Sequence, residues 1–315
     1  MMRPRCVIRV GEYSFDFVNE LELSSAWKNV TDTGFLRIPR KLLLRGESIA
    51  AGDNSLFKRG DSVEVSLGYY PELVSVFMGY VSDILPGSPF ELRIEDSAFL
   101  FKQSSITKSY ASITLKQLLE DLCPIPFEAL DADLGAFRIT RANFAQVVRE
   151  LKESYGLICW VRNGTLYAGL AYRPELMVEH VIDVQSQVIG DDLIYQREED
   201  IRVKVKAISI QPDNSRIEVE VGDPDGEERT LNYYNLTMAD LIATAEREIP
   251  KLKYTGYRGT FATFGAPTID HGDSVEIQDL KTPERAGSYL VDEVITSQGM
   301  AGFRQRVTLG PKLSA

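Results

Sequence analysis

The hexapeptide Gly60-Asp61-Ser62-Val63-Glu64-Val65 returns 212 residues later as Gly272-Asp273-Ser274-Val275-Glu276-Ile277. Glycine and aspartate make a turn, and the alternation of Val or Ile with Ser and Glu begins an amphipathic strand. The chain therefore carries one turn-and-strand unit near each end. At the same spacing Pro71-Glu72 meets Pro283-Glu284 and Phe77 meets Tyr289, whereas Val81 meets Val294 only after a one-residue slip. Two unrelated hairpins with the same turn chemistry are the alternative. A spacing held across an intervening loop favours a duplicated β-unit.

The surroundings of the first copy read as strands. Val63, Val65 and Leu67 fall on one face, and Ser62, Glu64 and Ser66 on the other, the period of a half-buried strand. Cys6–Val10, Tyr13–Leu23, Gly34–Ile38, Val74–Ile84 and Phe90–Ile94 are similarly rich in β-branched and aromatic residues. Six short strands at this spacing predict a barrel or sandwich. The stretch from Arg45 to Gly60 lacks the pattern and reads as a long loop.

The period then changes. Thr114 and Gln117 fit a capping box ahead of Leu115, Leu118, Leu119 and Leu122, with Pro124 and Pro126 as stops. A second helix opens at Asn143 with Gln146 three residues on, carries Phe144, Val147, Val148, Leu151 and Tyr155 on one face, and closes at Gly156. Asn163-Gly164 between two β-rich runs is a hairpin turn, since both positions tolerate φ > 0. A small helical–β domain is thus expected at about 104–172. Beyond it, alternation at Ile201–Val205 and Ile217–Val221 predicts strands around an Asp223-Pro224-Asp225-Gly226 turn. One helix starts after Thr237 and stops at Pro250. The last strands are Gly259–Phe264, Ser274–Ile277, Ser288–Ile295 and Phe303–Leu309.

Composition narrows the function. With 315 residues the chain suits two or three domains. Its 35 Lys and Arg against 46 Asp and Glu leave a net charge of −11. Such a surface repels phosphate backbones and anionic membranes, so neither stable nucleic-acid binding nor membrane insertion is expected, and no apolar run approaches the roughly 20 residues of a span. The N-terminus shows no apolar signal core. Cys6, Cys123 and Cys159 are sparse, odd in number and without CxxC spacing, as in reduced thiols of a protein made in the cytoplasm.

Reactive residues are few. Cys159 with His180 or His271 is a conceivable nucleophilic pair, yet Cys159 sits in a predicted strand between Ile158 and Trp160, the setting of a core thiol. Two histidines with Asp270 or Asp273 make a poor metal set. Asp191-Asp192 and Glu198-Glu199-Asp200 read as solvated charge runs rather than an acid/base pair. Arg59-Gly60-Asp61 reads as the turn into a strand. Arg202, Lys204 and Lys206 line one strand face, solvated by default, the alternative being an acidic partner or phosphates. No catalytic, cofactor-binding or metal residues are assigned, no cofactor is expected, and the chain is not expected to be an enzyme.

Certain segments, in order, resemble the late-control-D-like family of baseplate hub proteins from tailed phages and contractile injection machines, similar in turn to the N-terminal part of type VI secretion spike proteins. They are Trp27 to Arg40 (with Asp32-Thr33-Gly34 and Leu36-Arg37-Ile38-Pro39-Arg40), the Gly60 to Ile84 hairpin and Asn143 to Gly169. Gly265-Ala266-Pro267, Gly272-Asp273, Gly287-Ser288-Tyr289-Leu290-Val291 and Phe303 to Leu309 complete the set. The resemblance implies a mainly β (α+β) chain with two related β-barrel domains separated by a small helical–β domain: a first tube-like barrel at 1–103, a middle α+β domain with linker at 104–200, and a second barrel carrying one helix at 201–315. It also implies a structural hub in the virion tail baseplate, assembled in the bacterial host cytoplasm. As a homotrimer it would form a ring of six barrels that joins the tail tube protein to a separate spike protein. The alternatives are a peptidoglycan hydrolase and a monomeric β-barrel carbohydrate-binding module.

Overall fold

Nine strands build the N-terminal third: β1 (Pro4–Val10), β2 (Tyr13–Phe15), β3 (Glu20–Ala26), β4 (Thr33–Ile38), β5 (Lys41–Leu44), β6 (Glu47–Ala50), β7 (Ser62–Tyr69), β8 (Glu72–Leu85) and β9 (Phe90–Asp96). The computed structural model describes residues 3–39, 41–44, 47–50, 56–211 and 215–313. Val63, Val65 and Leu67 point into a core with Ile8, Leu36, Phe90 and Leu92, as their alternation requires. Two expectations change here. The single strand at Tyr13–Leu23 is two, because β2 folds back on β1 whereas β3 pairs with β4. Within the expected loop from Arg45 to Gly60, β6 pairs with β5, since a ladder of backbone hydrogen bonds does not require side-chain alternation. Residues 45, 46 and 51–55 of that stretch lie outside the described residues.

The middle segment runs β10 (Ile106–Thr114), α1 (Leu115–Leu122), β11 (Phe127–Ala129), β12 (Asp133–Ala142), α2 (Phe144–Tyr155), β13 (Ile158–Arg162) and β14 (Thr165–Gly169). Both capping boxes form: Thr114 accepts from the Gln117 N–H at 3.3 Å, and Asn143 from that of Gln146 at 3.0 Å, each glutamine bonding back to the cap's own N–H. The apolar stripes of the two helices meet in one core with Phe101, Phe137 and Leu166. Asn163 and Gly164 sit at φ 51° and 76° between β13 and β14. A β-branched residue resists that region, so Gly164→Val is expected to cost about 1–2 kcal/mol. Urea titration of the variant checks this, and an unchanged midpoint contradicts the turn.

Three strands follow, β15 (Glu179–Asp183), β16 (Val188–Asp191) and β17 (Ile194–Gln196), then an excursion of β18 (Val203–Ile210), β19 (Arg216–Gly222), β20 (Glu227–Tyr234) and α3 (Met238–Leu252). The chain returns through β21 (Gly256–Arg258), β22 (Thr260–Phe264), β23 (Ser274–Gln278), β24 (Gly287–Gly299) and β25 (Gly302–Lys312). Strands β18–β20 form their own sheet and, with α3, their own core of Val203, Val205, Ala207, Leu241 and Ala245. They are not staves of a second barrel. Strands β15–β17, on the middle side of the expected boundary at 200, pair instead with β23, β22 and β21. Helix α3 also runs through Pro250, because the Lys253 N–H bonds the Ile249 carbonyl at 2.9 Å and closes the last turn beyond it.

The duplication is visible in the pairing. The order β3-β4-β9-β8-β7-β1 near the N-terminus is matched by β16-β22-β25-β24-β23-β15 near the C-terminus. Only the last pair differs in sense, antiparallel for β1 and parallel for β15. The turns match bond for bond. Gly60, at φ 91°, donates to the Val81 carbonyl at 2.8 Å while the Val81 N–H donates to Asp61 at 2.9 Å. Gly272, at φ 84°, and Asp273 do the same with Val291. A one-residue β-bulge follows each valine, at Ser82 and at Asp292. This register corrects the alignment downstream of the hexapeptide. Val81 corresponds to Val291 and not Val294, and Tyr289, opposite Val275, corresponds to Gly79 and not Phe77. Pro71 lies in a tight hairpin, whereas Pro283 opens a 3-10 turn in a longer loop.

The mainly β expectation holds, whereas the expected pair of closed barrels is not found. Among the described residues no barrel closes. β24 pairs with β23 through its first half and with β3 through its second, so both units belong to one thirteen-stranded sheet. Sharing one long strand satisfies the edge that each unit would otherwise have to close alone.

Candidate assembly junction

The junction between the units starts as seven cross-strand pairs, from Glu293–Ala26 to Gly299–Glu20. The bulge at Asp292 turns its carboxylate out of the ladder. Trp27 Nε1 donates to it at 3.1 Å, the Tyr172 hydroxyl donates to it, and Lys28 Nζ lies at 3.2 Å. The residue without a ladder partner thus ties the N-terminal unit and the end of the middle segment to β24.

A second contact lies at the turn that opens the repeated strand. Asp273, 2% exposed, accepts from the backbone N–H of Val178 at 3.2 Å and of Asp270 at 3.0 Å, meets His180 Nε2 at 3.1 Å, and faces Arg162 at 4.0 Å. Arg162, one residue before the Asn163-Gly164 turn, also donates to the His271 carbonyl. From the N-terminal unit, Ser25 Oγ reaches Asp32 at 2.6 Å and His271 Nδ1 at 2.7 Å. Asp96 accepts from the N–H of Asp32 at 3.0 Å and of Ala98 at 2.8 Å. Ser25, Asp32, Asp96, Arg162, Asp270 and His271 line a cavity of about 350 Å³ with walls from all three parts of the chain.

Burial sets the charges. It holds His271 down to about 3, assisted by the Arg162 charge, and pushes Asp96 up to about 7. Burial also carries Asp32 well above the carboxylate range, with the Asp96 charge adding to it, and raises Asp270. The imidazole is therefore neutral at physiological pH. The linkage has opposite signs. The His271 contribution is complete above its ordinary 6.5 and lost as pH falls towards 3, whereas that of Asp96 is complete below 3.8 and lost as pH rises through about 7, and Asp32 and Asp270 add to it with the same sign. Stability is expected to fall from pH 6.5 to 8, where His271 is silent and the raised carboxylates ionise. Denaturant titrations across this range check it; stability rising to pH 8 contradicts the assignment.

The sequence candidates are distributed otherwise. Cys159 packs in the middle core, where burial pushes its thiol up to about 12, while the two histidines bond Asp273 and Ser25. Asp32 and His271 both bond the Ser25 hydroxyl, and His271 Nε2 is buried without a partner, so no carboxylate orients the imidazole as a nucleophile's base requires. Among the described residues, no three His, Cys, Asp or Glu side chains have metal-binding geometry. Asp191, Asp192, Glu198, Glu199 and Asp200 are exposed. Arg59-Gly60-Asp61 is the turn into β7, its Asp61 carboxylate accepting from Lys58 N–H at 2.7 Å. The cations of β18 and the Arg202 just before it meet acids of this chain: Arg202 with Asp223 at 3.8 Å, Lys204 with Glu228 at 2.8 Å, Lys206 with Glu218 at 3.0 Å. Nothing local in the sequence marks Ser25, Arg162 or Asp292 as junction residues, although Arg162 falls within Asn143 to Gly169 and Asp32 within Asp32-Thr33-Gly34.

No family model matches the chain and no curated protein matches it in sequence. Solved structures do share its fold. The 43 kDa tail protein of prophage MuSo2 from Shewanella oneidensis matches with a TM-score of 0.65 at 13% identity, over 98% of this chain and 97% of that one. A tail protein from Neisseria meningitidis MC58 matches with a TM-score of 0.65 at 15% identity, over 99% and 97%. The E. coli c3393 protein, a component of the type VI secretion system, matches with a TM-score of 0.61 at 11% identity, over 96% and 76%. The fold is thus one used by phage tail and type VI secretion proteins.

Proposed function

We propose that this chain is a structural baseplate hub of a phage tail or prophage-derived injection machine. It acts by assembly and has no turnover of its own. The observation that carries this reading is the duplicated pairing order, with the two copies already fused edge to edge through β24 and β3. Two copies of one unit in a row are an arc, and three chains placed head to tail would close six units into a ring. Such a ring matches a sixfold tail tube on one face and a threefold spike, a separate polypeptide, on the other. The N-terminal unit to about residue 103 and the C-terminal strands supply the tube-type units, with the middle domain from 104 outside them. Assembly would take place in the bacterial host cytoplasm and the product would reside in the virion tail baseplate. The net charge of −11 suits a conduit that DNA passes without sticking.

Mass by light scattering, combined with class averages by electron microscopy, tests the proposal. A threefold ring with six peripheral densities is expected. A lone chain that degrades cell walls, losing turnover on one carboxylate substitution, would support the hydrolase, and a lone chain binding glycans the carbohydrate module.

A further inference from the structure

We infer that strand 83–85 of one copy pairs with strand 194–196 of the next copy, in a register set by the internal repeat; this rests on the hub reading above. In β24 the segment after the bulge has partners on both sides, β25 and β3. Its counterpart in β8, Asp83–Leu85, pairs with β9 on one side, and no described strand pairs with the other. The partner needed there is whatever corresponds to β3.

Rows across the sheet identify it. Leu21, Leu36, Leu92 and Ile84 lie side by side in the first unit, as Asp191, Phe261, Val307 and Val294 do in the second. One row over, Gly34 and Ile94 answer to Gly259 and Leu309, whose N–H bonds the Gly259 carbonyl at 3.0 Å. Ser24, paired with Thr33, then corresponds to Ile194, paired with Arg258. β3 is therefore equivalent to β16 continued by β17. Like Asp83–Leu85, β17 has one described partner strand, β21.

Within the chain Val294 faces Ser25 and Ile295 faces Ser24. Carried to the free edges, that register sets Ile84 opposite Tyr195, Leu85 opposite Ile194 and Asp83 opposite Gln196. The chemistry fits. Ile84 packs on the N-terminal core and Tyr195 on the C-terminal core, so their pairing joins the cores of neighbouring copies. Ile194, 62% exposed in the single chain, gains an apolar cross-strand partner. The ladder is shorter than the internal one, three pairs against seven. Because the two edges differ, the contact is heterologous and propagates around a ring.

Paired cysteines test the register in a Cys6→Ala, Cys123→Ala, Cys159→Ala background. Directly opposite positions hold Cα atoms about 4.5–5.5 Å apart, within the range a disulfide spans. Mild oxidation of Leu85→Cys/Ile194→Cys is expected to turn most of the protein into covalent multimers, while Ser24→Cys/Ile295→Cys, its internal equivalent, closes within one chain. Leu85→Cys/Leu252→Cys serves as the off-register control. Rings that assemble with the internal pair closing, but with no more multimer from 85/194 than from the control, overturn this register and leave the hub reading intact. A protein that stays a single chain at millimolar concentration overturns both.

Discussion

Asp273→Ala is expected to destabilise the protein by about 3–5 kcal/mol, the range for breaking a buried, hydrogen-bonded charge pair. Alanine leaves the N–H groups of Val178 and Asp270 without their acceptor and removes the carboxylate that Arg162 and His180 face most closely. The repeat supplies its own control. Asp61 occupies the same turn position, yet it is half-buried and among the described residues its side chain takes only the Lys58 N–H, so Asp61→Ala is expected to cost about 1 kcal/mol. Both tryptophans report on the junction: Trp27 bonds Asp292, and the Trp160 ring lies 5.0 Å from His271 in an edge contact. Intrinsic fluorescence during urea titration therefore follows the region that the substitution disrupts. Equal losses for the two variants would mean that Asp273 carries no more than its turn.

Val63→Asp is expected to unfold the N-terminal unit, at a cost of about 4 kcal/mol or more, because the carboxylate replaces a side chain 3% exposed in an apolar core with Val10, Val65, Leu67 and Val81. The middle domain has its own core, so hydrogen exchange should show protection lost over β1, β7, β8 and β9 before α1 and α2. Protection retained in β7 of a soluble variant would mean that the inner face is assigned wrongly.

Much of the local structure was legible because its causes lie within a few residues. Thr114 and Asn143 meet their glutamines three residues on, and Asn163-Gly164 needs only its own φ angles. The alternation of β7 states which face is buried. The strands that escaped notice, such as β10, β12 and β20, carry many polar side chains at pairing positions and are held by partners far along the chain. The excursion β18–β20 alternates as a barrel strand would; only its pairing shows that it forms a separate sheet under α3.

The sequence alone therefore determined the caps, the hairpin, the amphipathic faces and the recurrence of one turn at Gly60 and Gly272. It could not say that the two copies fuse through one strand, nor that Ser25 would meet His271 across 246 residues. The reason is physical. Turns and caps are set by the φ preferences and side chains of adjacent residues, whereas a ladder joins backbone groups that every residue carries. Which strand supplies the partner is decided when the chain comes together, and here that choice made one shared sheet and the junction at its centre.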